Sequence, residues 1–315
     1  MSFTPIIPFE PVIADVFPSE DNWIAQIKWD GVRMLTYYDG HEVRLVNRKL
    51  NDRTLQYPEF GNAKRYCSGS SFILDGEMIA FDSNRPSFQE IMKRDSLRKK
   101  QSIDLAINQT PVTYMIFDVL YYNGDWVLEQ ELIRRQQLLE QMIIPQPNVQ
   151  VVQNFRNAKA LYDVMVQHEM EGIVCKECTS TYAINGKDKR WQKMKIFHDL
   201  FAVIGGVTFR DGVVNALLLG LYNDEGKFYY IGHAGTAKFS KKTWQDLTQR
   251  IQPTIRPTKP FENEPERRKD AIWVEPEIVV KVKFMEWTTG KTMRHPSVQA
   301  IVNMPVSACM FSQNE

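Results

Sequence analysis

Cysteine and long apolar segments are scarce in this chain of 315 residues. The four cysteines are too few to build a disulfide scaffold of this size. Cys175 and Cys178 have the spacing of a metal-ligating pair, but no second pair or histidine cluster completes a four-ligand site. No stretch approaches the ~18 uninterrupted apolar residues of a membrane span, and the first residues lack the basic segment and apolar run of a signal peptide. These absences predict an intracellular, soluble protein.

A strong charge of either sign is also absent, since the formal net charge at pH 7 is +1. Up to residue 199 there are 24 Lys and Arg against 26 Asp and Glu, and beyond it 15 against 12. This slightly basic C-terminal part permits a nucleic-acid partner without requiring one, because local patches matter more than totals. The length suits two domains, each able to bury its own core.

Short strand-like runs alternate with helical stretches from Trp23 to about Ile196. Clear strands are predicted over 43–46, 72–81, 112–120 and 172–176. Asn157 is placed to cap one helix. Another helix is predicted over 129–142 from the 3–4 spacing of Leu132, Ile133, Gln136, Leu139 and Met142. Because strict βαβ alternation is missing, the pattern favours an α+β fold.

The pattern changes after Phe197-His198-Asp199. Strands are predicted over 200–208, 213–222 and 227–232, the last two joined by a hairpin turn at 223–226. A helix over 240–251, a Pro- and charge-rich loop over 252–273 and a strand over 278–287 complete the pattern. This order is the layout of a small five-stranded barrel of the OB type. The long loop is open to two interpretations, a clamp on a duplex or a plain connection.

The most informative segment is Lys28-Trp29-Asp30-Gly31-Val32-Arg33, which comes after a short apolar run. A lysine at the mouth of a strand, beside a carboxylate, a glycine and an arginine, can attack a phosphoryl group and hold what it attacks. Only the free amine is nucleophilic, so such a lysine needs a pKa depressed by desolvation or by neighbouring cations. The short motif alone proves little, and it gains weight only from other motifs further along the chain.

Five such blocks occur in order, and with the first they resemble the covalent nucleotidyltransferases, in particular the ATP-dependent DNA ligases. The blocks are Val46-Asn47-Arg48, Leu74-Asp75-Gly76-Glu77-Met78, Met115-Ile116-Phe117-Asp118-Val119-Leu120, Glu171-Gly172-Ile173-Val174-Cys175-Lys176 and Trp191-Gln192-Lys193-Met194-Lys195. The resemblance implies an α+β fold with a nucleotidyltransferase (ATP-grasp-like) adenylation domain over 1–197. An OB-fold β-barrel domain is implied over 198–315, with a hinge near 197–200.

The resemblance also implies roles for the residues of each block. Lys28 is the expected nucleophile toward the α-phosphate of ATP, with Lys193 and Lys195 as catalytic cations that neutralise the phosphate oxygens. Glu171 and Glu77 are the expected metal ligands, since Mg²⁺ prefers hard oxygen donors. The residues expected to bind the nucleotide are Gln26, Ile27, Arg33, Arg48, Glu77, Phe117 and Lys176.

Several of these residues also have ordinary structural interpretations. Glu171 could end a helix, Glu77 could belong to a turn, Arg48 could be a solvated arginine, and Phe117 divides between stacking on adenine and packing in the core. At Gln26 the chain departs from the ligases, which often place Glu two residues before the lysine. A Gln carbonyl can still accept a hydrogen bond from the adenine amino group.

Basic residues suit a DNA partner, because phosphate contacts give affinity without sequence preference. The predicted DNA contacts are Arg33, whose planar fork fits a nick 5′-phosphate, together with Lys93, Arg94 and Arg294. Other clusters are Arg98, Lys99 and Lys100, then Lys238, Lys241 and Lys242. For any single lysine, a solvated charged surface is the alternative.

The C-terminal blocks resemble the OB domain of bacterial ATP-dependent ligases, including those fused to end-joining machinery. They read Gly232-His233-Ala234-Gly235-Thr236, Glu286-Trp287-Thr288 and Arg294-His295-Pro296. Where relatives carry Arg-x-Asp-Lys shortly after the His-Pro, this chain reads Val302-Asn303-Met304-Pro305. The missing charges normally orient the leaving pyrophosphate, so Lys283, Lys291 and Arg294 are candidates to replace them.

The sequence therefore predicts a two-domain ATP-dependent DNA ligase that seals 5′-phosphate/3′-hydroxyl nicks in duplex DNA through a lysyl-AMP and a DNA-adenylate. The expected cofactors are ATP and Mg²⁺ or Mn²⁺. The protein is expected to be a cytoplasmic monomer, bacterial or phage-encoded and away from membranes, in DNA repair, recombination or replication, and a Ku-like end-joining factor is a further candidate partner. Two alternatives stay open: an RNA ligase or capping-type guanylyltransferase, and a DNA end-binding protein with weakened adenylylation.

Overall fold

The computed structural model describes residues 3–18, 21–83, 85–235, 237–266, 268–288 and 290–313. The chain divides into two compact units, Met1–Ile196 and Phe197–Glu315. Within the described ranges, none of the helices has the length and apolar character needed to cross a membrane.

Mixed strands and helices make up the first unit, in agreement with the α+β prediction. Its strands are β1 (Glu10–Ile13), β2 (Trp23–Ile27), β3 (Val32–Tyr38), β4 (Val43–Asn47), β5 (Phe72–Ile79), β6 (Phe81–Asp82), β7 (Arg85–Pro86), β8 (Thr113–Tyr122), β9 (Asp125–Trp126), β10 (Val149–Val151), β11 (Gly172–Glu177) and β12 (Lys187–Lys195). Its α-helices are α1 (Phe88–Asp95), α2 (Lys100–Gln109), α3 (Leu132–Met142) and α4 (Ala158–Gln167). The elements predicted for this part are found within a few residues of their expected bounds, whereas α1 and α2 fill a stretch with no predicted element.

One sheet of this unit has the strand order β1-β12-β11-β2. β11 is antiparallel to β12 and β2, and its register sets Val174 opposite Lys193 on one side and Gln26 on the other. Because side chains alternate across a strand, this register collects the polar residues of three strands on one face. The opposite face is apolar and packs against α4 through Ala25, Leu161, Met165, Ile173, Cys175 and Met194.

A second sheet has the order β10-β8-β5-β3-β4, with β9 paired to β8. Its central strand β5 is buried along almost its whole length and β8 along most of it, because both faces of the sheet are covered. One face packs against α3, with Leu74, Ile116 and Leu139 in the same cluster. The other face packs against Trp191 of β12 through Leu35 and neighbouring residues. One hydrophobic cluster thus lies between the second sheet and the polar face of the first sheet.

Two glycines of the sequence blocks are required by close backbone approach. A Cβ at Gly172, whose φ is +134°, would lie 2.1 Å from the carbonyl oxygen of Met194. A Cβ at Gly76 would lie 2.6 Å from the carbonyl oxygen of Met115. These glycines let β11 approach β12 and β5 approach β8, and so fix the position of the acidic residue next to each of them.

Antiparallel strands dominate the second unit. Its elements are β13 (His198–Arg210), β14 (Val213–Tyr222), β15 (Phe228–Ala234), α5 (Lys241–Ile251), β16 (Ile255–Arg256), β17 (Ile272–Val274), β18 (Val279–Phe284) and β19 (Ser297–Val302). The long strand β13 pairs with β14 on one edge and with β17 and β18 on the other, while β15, β16 and β19 extend the sheet. A bridge between Ala237 and Val298 links the segment after β15 to β19.

Local signals explain where the elements of this unit begin and end. Gly226 closes the predicted hairpin turn, with its N–H donating to the Asn223 carbonyl oxygen over 2.9 Å at a φ of +75°. Ser240 caps α5, because its hydroxyl accepts from the Thr243 N–H at 3.1 Å. The predicted loop 252–273 contains the short strand β16 and the first residues of β17, and β19 has no counterpart in the prediction.

Candidate active site

One buried carboxylate holds two lysines at the centre of the first unit. Lys28 directly follows β2, and its backbone N–H donates to the Gly172 carbonyl oxygen at 3.0 Å. Its Nζ donates to Glu171 Oε2, and Lys195 Nζ lies 2.9 Å from Glu171 Oε1. The antiparallel register of β11 and β12, which pairs Gly172 with Lys195, brings the three groups together. Residues far apart in sequence therefore form one charged cluster.

The electrostatics of this cluster favour an anion. Burial opposes ionisation of Glu171, but the charges and hydrogen bonds of Lys28 and Lys195 outweigh it and lower the pKa of the carboxyl. Burial and the like charges of Lys195 and Lys28 lower the pKa of Lys193. Lys28 and Lys195 share one carboxylate and Lys193 adds a third positive charge near them, so the cluster has a surplus of positive charge that suits phosphate oxygens.

Glu77 belongs to β5, opposite Arg33 of β3. Burial raises its pKa to about 8, an effect that Lys28 and Arg33 oppose and that Glu171 and Asp30 reinforce. The carboxyl therefore carries a proton at neutral pH, and a cation bound there would have to displace it. The predicted turn alternative does not apply, because Glu77 lies within the strand.

In the part of the chain that the structure describes, protein side chains alone do not build a metal site. Among the residues that the structure describes, no group of three or more His, Cys, Asp or Glu side chains could hold a metal ion. Mg²⁺ is commonly held by one or two carboxylates with phosphates and waters as the other ligands. Glu171 and Glu77 are two such carboxylates, and an ion that arrives with a nucleotide would have to displace an ammonium group from Glu171 and the proton from Glu77.

Lys176 of β11 is buried between two aromatic rings. Its Nζ lies 3.9 Å from the Trp191 ring centroid and 4.4 Å from that of Phe117, and it donates to the Phe117 carbonyl oxygen at 3.4 Å. Burial lowers its pKa to about 7, although Asp118 and Asp75 oppose this effect. Phe117 is half-buried, so its ring is neither a fully buried core residue nor a freely exposed one.

Arg33 does not present an open fork. Its Nε and Nη2 donate to the two carboxylate oxygens of buried Asp75 at 2.9 and 2.6 Å, and Nη1 donates to the Phe9 carbonyl oxygen at 2.6 Å. Its pKa is raised, because the Asp75 charge outweighs the opposing effect of burial. Tyr182 donates to the same carboxylate at 2.8 Å. Any phosphate contact by Arg33 would compete with this ion pair.

Gln26 is buried and donates through Nε2 to Asn154 Oδ1 at 2.7 Å and to Gln136 Oε1 at 3.2 Å. Ile27 is half-buried and pairs through its backbone with Ile173 of β11. The sequence patterns did not identify Gln136 and Asn154 as members of the site.

Arg48 lies outside these clusters, just after β4. It is exposed, with Nη1 3.2 Å from Glu10 Oε1. Glu10 Oε2 also lies 3.6 Å from Lys187 Nζ. The charge of Glu10 opposes the effects that lower the pKa of Lys193. Arg48 therefore connects to the lysine cluster through Glu10, and this is compatible with either of its predicted roles.

The Phe-Asp block carries a buried ion pair that the sequence patterns also missed. Asp118 and Arg135 are fully buried, and the two carboxylate oxygens accept from Nε and Nη2 at 2.7 and 3.0 Å. Arg135 also donates to the Ser180 carbonyl oxygen at 3.2 Å. A buried carboxylate such as Asp118, in an apolar run, needs a cationic or hydrogen-bonding partner. This requirement was the signal from which a partner could have been predicted.

The prediction that Arg94 contacts DNA is wrong. Its side chain is fully buried, and it donates to both oxygens of Glu59 at 2.9 and 3.1 Å and to the Thr110 carbonyl oxygen at 3.0 Å. It therefore stabilises the contacts of α1 and α2 and cannot reach a phosphate. Lys93, by contrast, is exposed and pairs with Glu90 one helical turn away.

In the second unit, the residues expected to face DNA or pyrophosphate occupy different settings. Arg294 is half-buried and ion-paired with Glu286. Lys283 lies 4.3 Å from the Phe197 ring centroid, and Lys291 is exposed. Thr236, which ends the predicted Gly232–Thr236 block, lies outside the described residues.

Comparison with known proteins gives two family matches. Residues 9–195 match the family model described as ATP dependent DNA ligase domain. Residues 210–302 match the model described as ATP dependent DNA ligase C terminal region. Each match lies within one of the two units, and the sequence blocks between Lys28 and Lys195 and between Gly232 and Pro296 fall within the matches.

Curated relatives include a DNA ligase from Methanosphaera stadtmanae, 25% identical over 96% of this chain and 57% of that protein. A DNA ligase from Nitrosopumilus maritimus is 28% identical over 89% of this chain and 52% of that protein. The multifunctional non-homologous end joining protein LigD of Mycolicibacterium smegmatis is 27% identical over 94% of this chain and 38% of that protein. The chain thus spans about half the length of the first two relatives and less of the third. These proteins do not favour an RNA ligase, a capping enzyme or a non-catalytic end-binding protein.

Solved structures of similar fold include a mycobacterial DNA ligase D complexed with ATP and MES, with a TM-score of 0.53 and 26% identity. The match covers 97% of this chain and 98% of that one. The ligase domain of Mycobacterium tuberculosis LigD matches equally, with a TM-score of 0.53 and 25% identity over the same shares of each chain. The predicted fold, a nucleotidyltransferase domain followed by an OB-fold domain, is confirmed.

Proposed function

The chain belongs to the family of ATP-dependent DNA ligases, and we propose that it seals 5′-phosphate/3′-hydroxyl nicks in duplex DNA at the expense of ATP. In this proposal residues 1–197 form the adenylation domain and 198–315 the OB-fold domain. Three transfers make up the cycle: AMP onto the enzyme lysine, AMP onto the DNA 5′-phosphate, and attack by the adjacent 3′-hydroxyl with release of AMP.

The observation that carries the proposal is the arrangement of Lys28, Glu171 and Lys195. A nucleophilic lysine must be held in place and must be able to lose a proton. Glu171 holds the Lys28 Nζ and is itself buried, so it is both the orienting group and the base in contact with that proton. Lys195 on the other oxygen balances the carboxylate charge while the proton moves.

In the first step the Lys28 Nζ, after its proton passes to Glu171, attacks the α-phosphorus of ATP. The N–P bond forms as the bond from that phosphorus to the bridging oxygen breaks, and the electron pair leaves with pyrophosphate. When Lys28 loses its charge, the pKa of Glu171 rises, and this favours the proton remaining on the carboxyl. Lys193 and Lys195 then neutralise charge on the phosphate oxygens.

Other residues of the first unit are proposed to bind the nucleotide. The half-buried ring of Phe117 offers a stacking surface for adenine, and Lys176 behind it supplies a cation whose burial strengthens its interactions. Glu77 and Arg48 are proposed to lie near the ribose, and the backbone at Ile27 near the base.

A divalent cation, Mg²⁺ or Mn²⁺, is part of the proposal as a companion of the nucleotide. Glu171 and Glu77 would hold it, and when bound it would supply additional positive charge to the phosphates. Two carboxylates leave the remaining coordination positions to phosphate oxygens and waters, which is the usual arrangement for Mg²⁺ beside a nucleotide.

For the later steps the DNA contacts remain proposals. Lys93 is exposed and Arg294 is half-buried, and both are candidates; Arg33 is a candidate that would first have to give up its ion pair with Asp75. Similarity to the end-joining protein LigD supports broken ends as a substrate and a Ku-like factor as a partner. The enzyme is proposed to act as a monomer in the cytoplasm, and light scattering on purified protein would test the oligomeric state.

The test compares ordinary nicks with nicks that already carry a 5′-adenylate. We expect Lys28→Ala to lose sealing of 5′-phosphate nicks and to keep slow sealing of pre-adenylylated nicks, because the first two transfers pass through the amine and the third does not. Lys64→Ala, at an exposed lysine of the same unit, is the matched control and should retain both activities. Wild-type sealing of ordinary nicks by Lys28→Ala would refute the proposal.

A further inference from the structure

Three amide side chains from different elements meet beside the candidate active site. Gln26 lies in β2, Gln136 in α3 and Asn154 shortly after β10. Gln26 Nε2 donates to Asn154 Oδ1 at 2.7 Å and to Gln136 Oε1 at 3.2 Å, and Asn154 Nδ2 donates to Gln136 Oε1 at 3.2 Å. Gln26 and Gln136 are almost completely buried, at 2% exposure each. We refer to these three residues as the amide relay.

The orientation of the amide relay is set by one backbone carbonyl. Gln136 Nε2 donates to the Phe117 carbonyl oxygen at 2.9 Å, and a carbonyl can only accept. The Gln136 amide therefore cannot be turned round, and its Oε1 must face Gln26 and Asn154. Both of those partners must present N–H groups to it. The two hydrogens of Gln26 Nε2 are then used by Gln136 and Asn154.

The remaining atom of Gln26, its carbonyl Oε1, is fixed as an acceptor. Among the residues that the structure describes, none donates a hydrogen bond to this oxygen. An isolated glutamine could offer either its oxygen or its NH₂ to a ligand, but here the choice is made by Phe117 through Gln136. Gln26 can therefore present only a hydrogen-bond acceptor to a ligand.

Gln26 faces the same side of the sheet as Lys28. Residues two apart in a strand point to the same face, and Lys28 comes two positions after Gln26 at the end of β2. The cross-strand partner Val174 and its other partner Lys193 lie on this face as well. A nucleotide whose α-phosphate meets Lys28 therefore extends along the face that carries Gln26.

We propose that Gln136 and Asn154 are positioning residues that fix the Gln26 carbonyl toward the nucleotide base and thereby select adenine over guanine. This inference rests on the proposed function, in which Lys28 reacts with a nucleoside triphosphate. Adenine presents an amino donor at C6, whereas guanine presents a carbonyl acceptor there. The fixed Gln26 oxygen accepts a hydrogen bond from the adenine amino group. Opposite guanine it would face the C6 carbonyl oxygen, and both acceptors would be left without a donor.

Labelling of the enzyme by ATP and by GTP tests this proposal. Protein pretreated with pyrophosphate is incubated with α-labelled nucleotide below saturation, and the acid-stable label on the chain is measured over time. The readout is the ratio of the ATP and GTP labelling rates. Wild type is expected to favour ATP strongly, and Gln136→Met is expected to reduce the ratio at least about tenfold, because Gln26 can then turn round. Gln137→Met, at an exposed position of the same helix, is the matched control and should leave the ratio unchanged.

A second variant keeps the test independent of any folding defect in Gln136→Met. Gln26→Glu restores the residue that ligases often carry, yet it directs carboxylate oxygens at Gln136 Oε1 and Asn154 Oδ1. We expect it to slow ATP labelling, and we expect the double change Gln26→Glu with Gln136→Met to recover part of the rate. A single Gln26→Glu variant that labels faster than wild type would overturn the amide relay.

The outcomes separate this inference from the proposed function. A wild type that takes no label from any nucleotide refutes both. Labelled wild type with an unchanged ATP-to-GTP ratio in Gln136→Met refutes only the positioning role. Equal labelling of wild type by ATP and GTP also refutes the selection of adenine, while it leaves the lysine chemistry intact.

Discussion

Replacement of Lys176 by methionine should stabilise the first unit below neutral pH. Lys176 is 2% exposed and lies between the rings of Phe117 and Trp191. Burial lowers its pKa from 10.5 to about 7. Methionine fills a similar volume without a charge to desolvate. The variant therefore removes a titrating group and keeps most of the packing.

The magnitude can be worked out from the pKa difference. At about 1.4 kcal/mol for each tenfold change in proton affinity, the change from 10.5 to about 7 corresponds to about 5 kcal/mol of destabilisation at low pH. Between pH 7 and 10.5 the unfolded chain binds more protons at this position than the folded chain, so the free energy of unfolding rises with pH. Over pH 7.5 to 9.5 the contribution is about 2 kcal/mol. The contacts of the Lys176 ammonium group with two aromatic rings stabilise its charged form, so both free energies are upper limits.

Urea unfolding of wild type and Lys176→Met at several pH values between 6 and 9.5 measures this effect. The difference in unfolding free energy between the two proteins should favour the variant most at pH 6 and shrink as pH rises. Lys64→Met, at an exposed position, should run parallel to wild type at every pH. Parallel curves for Lys176→Met as well would show that Lys176 titrates normally, and the reasoning about its burial would be refuted.

Three more changes test other parts of the site. Glu171→Gln removes the charge that Lys28 and Lys195 share, so we expect labelling by ATP to fall at least about 100-fold, with a stability loss of about 1–3 kcal/mol in thermal unfolding; retention of more than a tenth of the rate would contradict this. Glu77, with a pKa near 8, should release close to one proton at pH 7 when Mn²⁺ and ATP bind, as calorimetry in buffers of different ionisation enthalpy can measure; the same release by Glu77→Gln would argue against that assignment. Arg94→Ala should cost about 3–5 kcal/mol of stability but leave the salt dependence of DNA binding unchanged, and a reduced salt slope would restore Arg94 as a phosphate contact.

The grouping of residues in the candidate site could be predicted from the sequence because the ordered blocks name them together. Lys28, Glu171 and Lys195 were identified without knowledge of their distances. The register of β2, β11 and β12 supplies those distances, and no sequence rule gives a register between strands so far apart in the chain.

Buried polar partners account for most of what the sequence patterns missed. Arg94 looked like part of a basic cluster, and only the folded chain shows that Glu59 and a carbonyl group enclose it. Gln136 lies on the apolar face of its predicted helix, and a polar side chain buried there needs a hydrogen-bond partner. This position was therefore a usable signal. Asn154 gave no signal, because it lies in an irregular segment after β10.

Element boundaries agreed with local signals where those signals were strong. The cap at Asn157 and the turn at Gly226 are found as predicted, and the helix predicted to begin at Ser240 has that residue as its cap. The helix α1 was missed although Phe88, Ile91 and Met92 have helical spacing and Ser87 caps it. Both α1 and α2 are short, with eight and ten residues, so their periodicity is hard to tell from chance. β19 has no predicted counterpart, and only its last residue, Val302, belongs to the segment that departs from the family motif.

The most direct test of the central claim is peptide mass mapping of the enzyme after incubation with ATP and Mg²⁺ in the absence of DNA. We expect one adenylate, on the peptide that contains Lys28 and bonded through its Nζ, which disappears when nicked DNA is added. An adenylate on another residue, or none on an enzyme that seals nicks, would contradict the account.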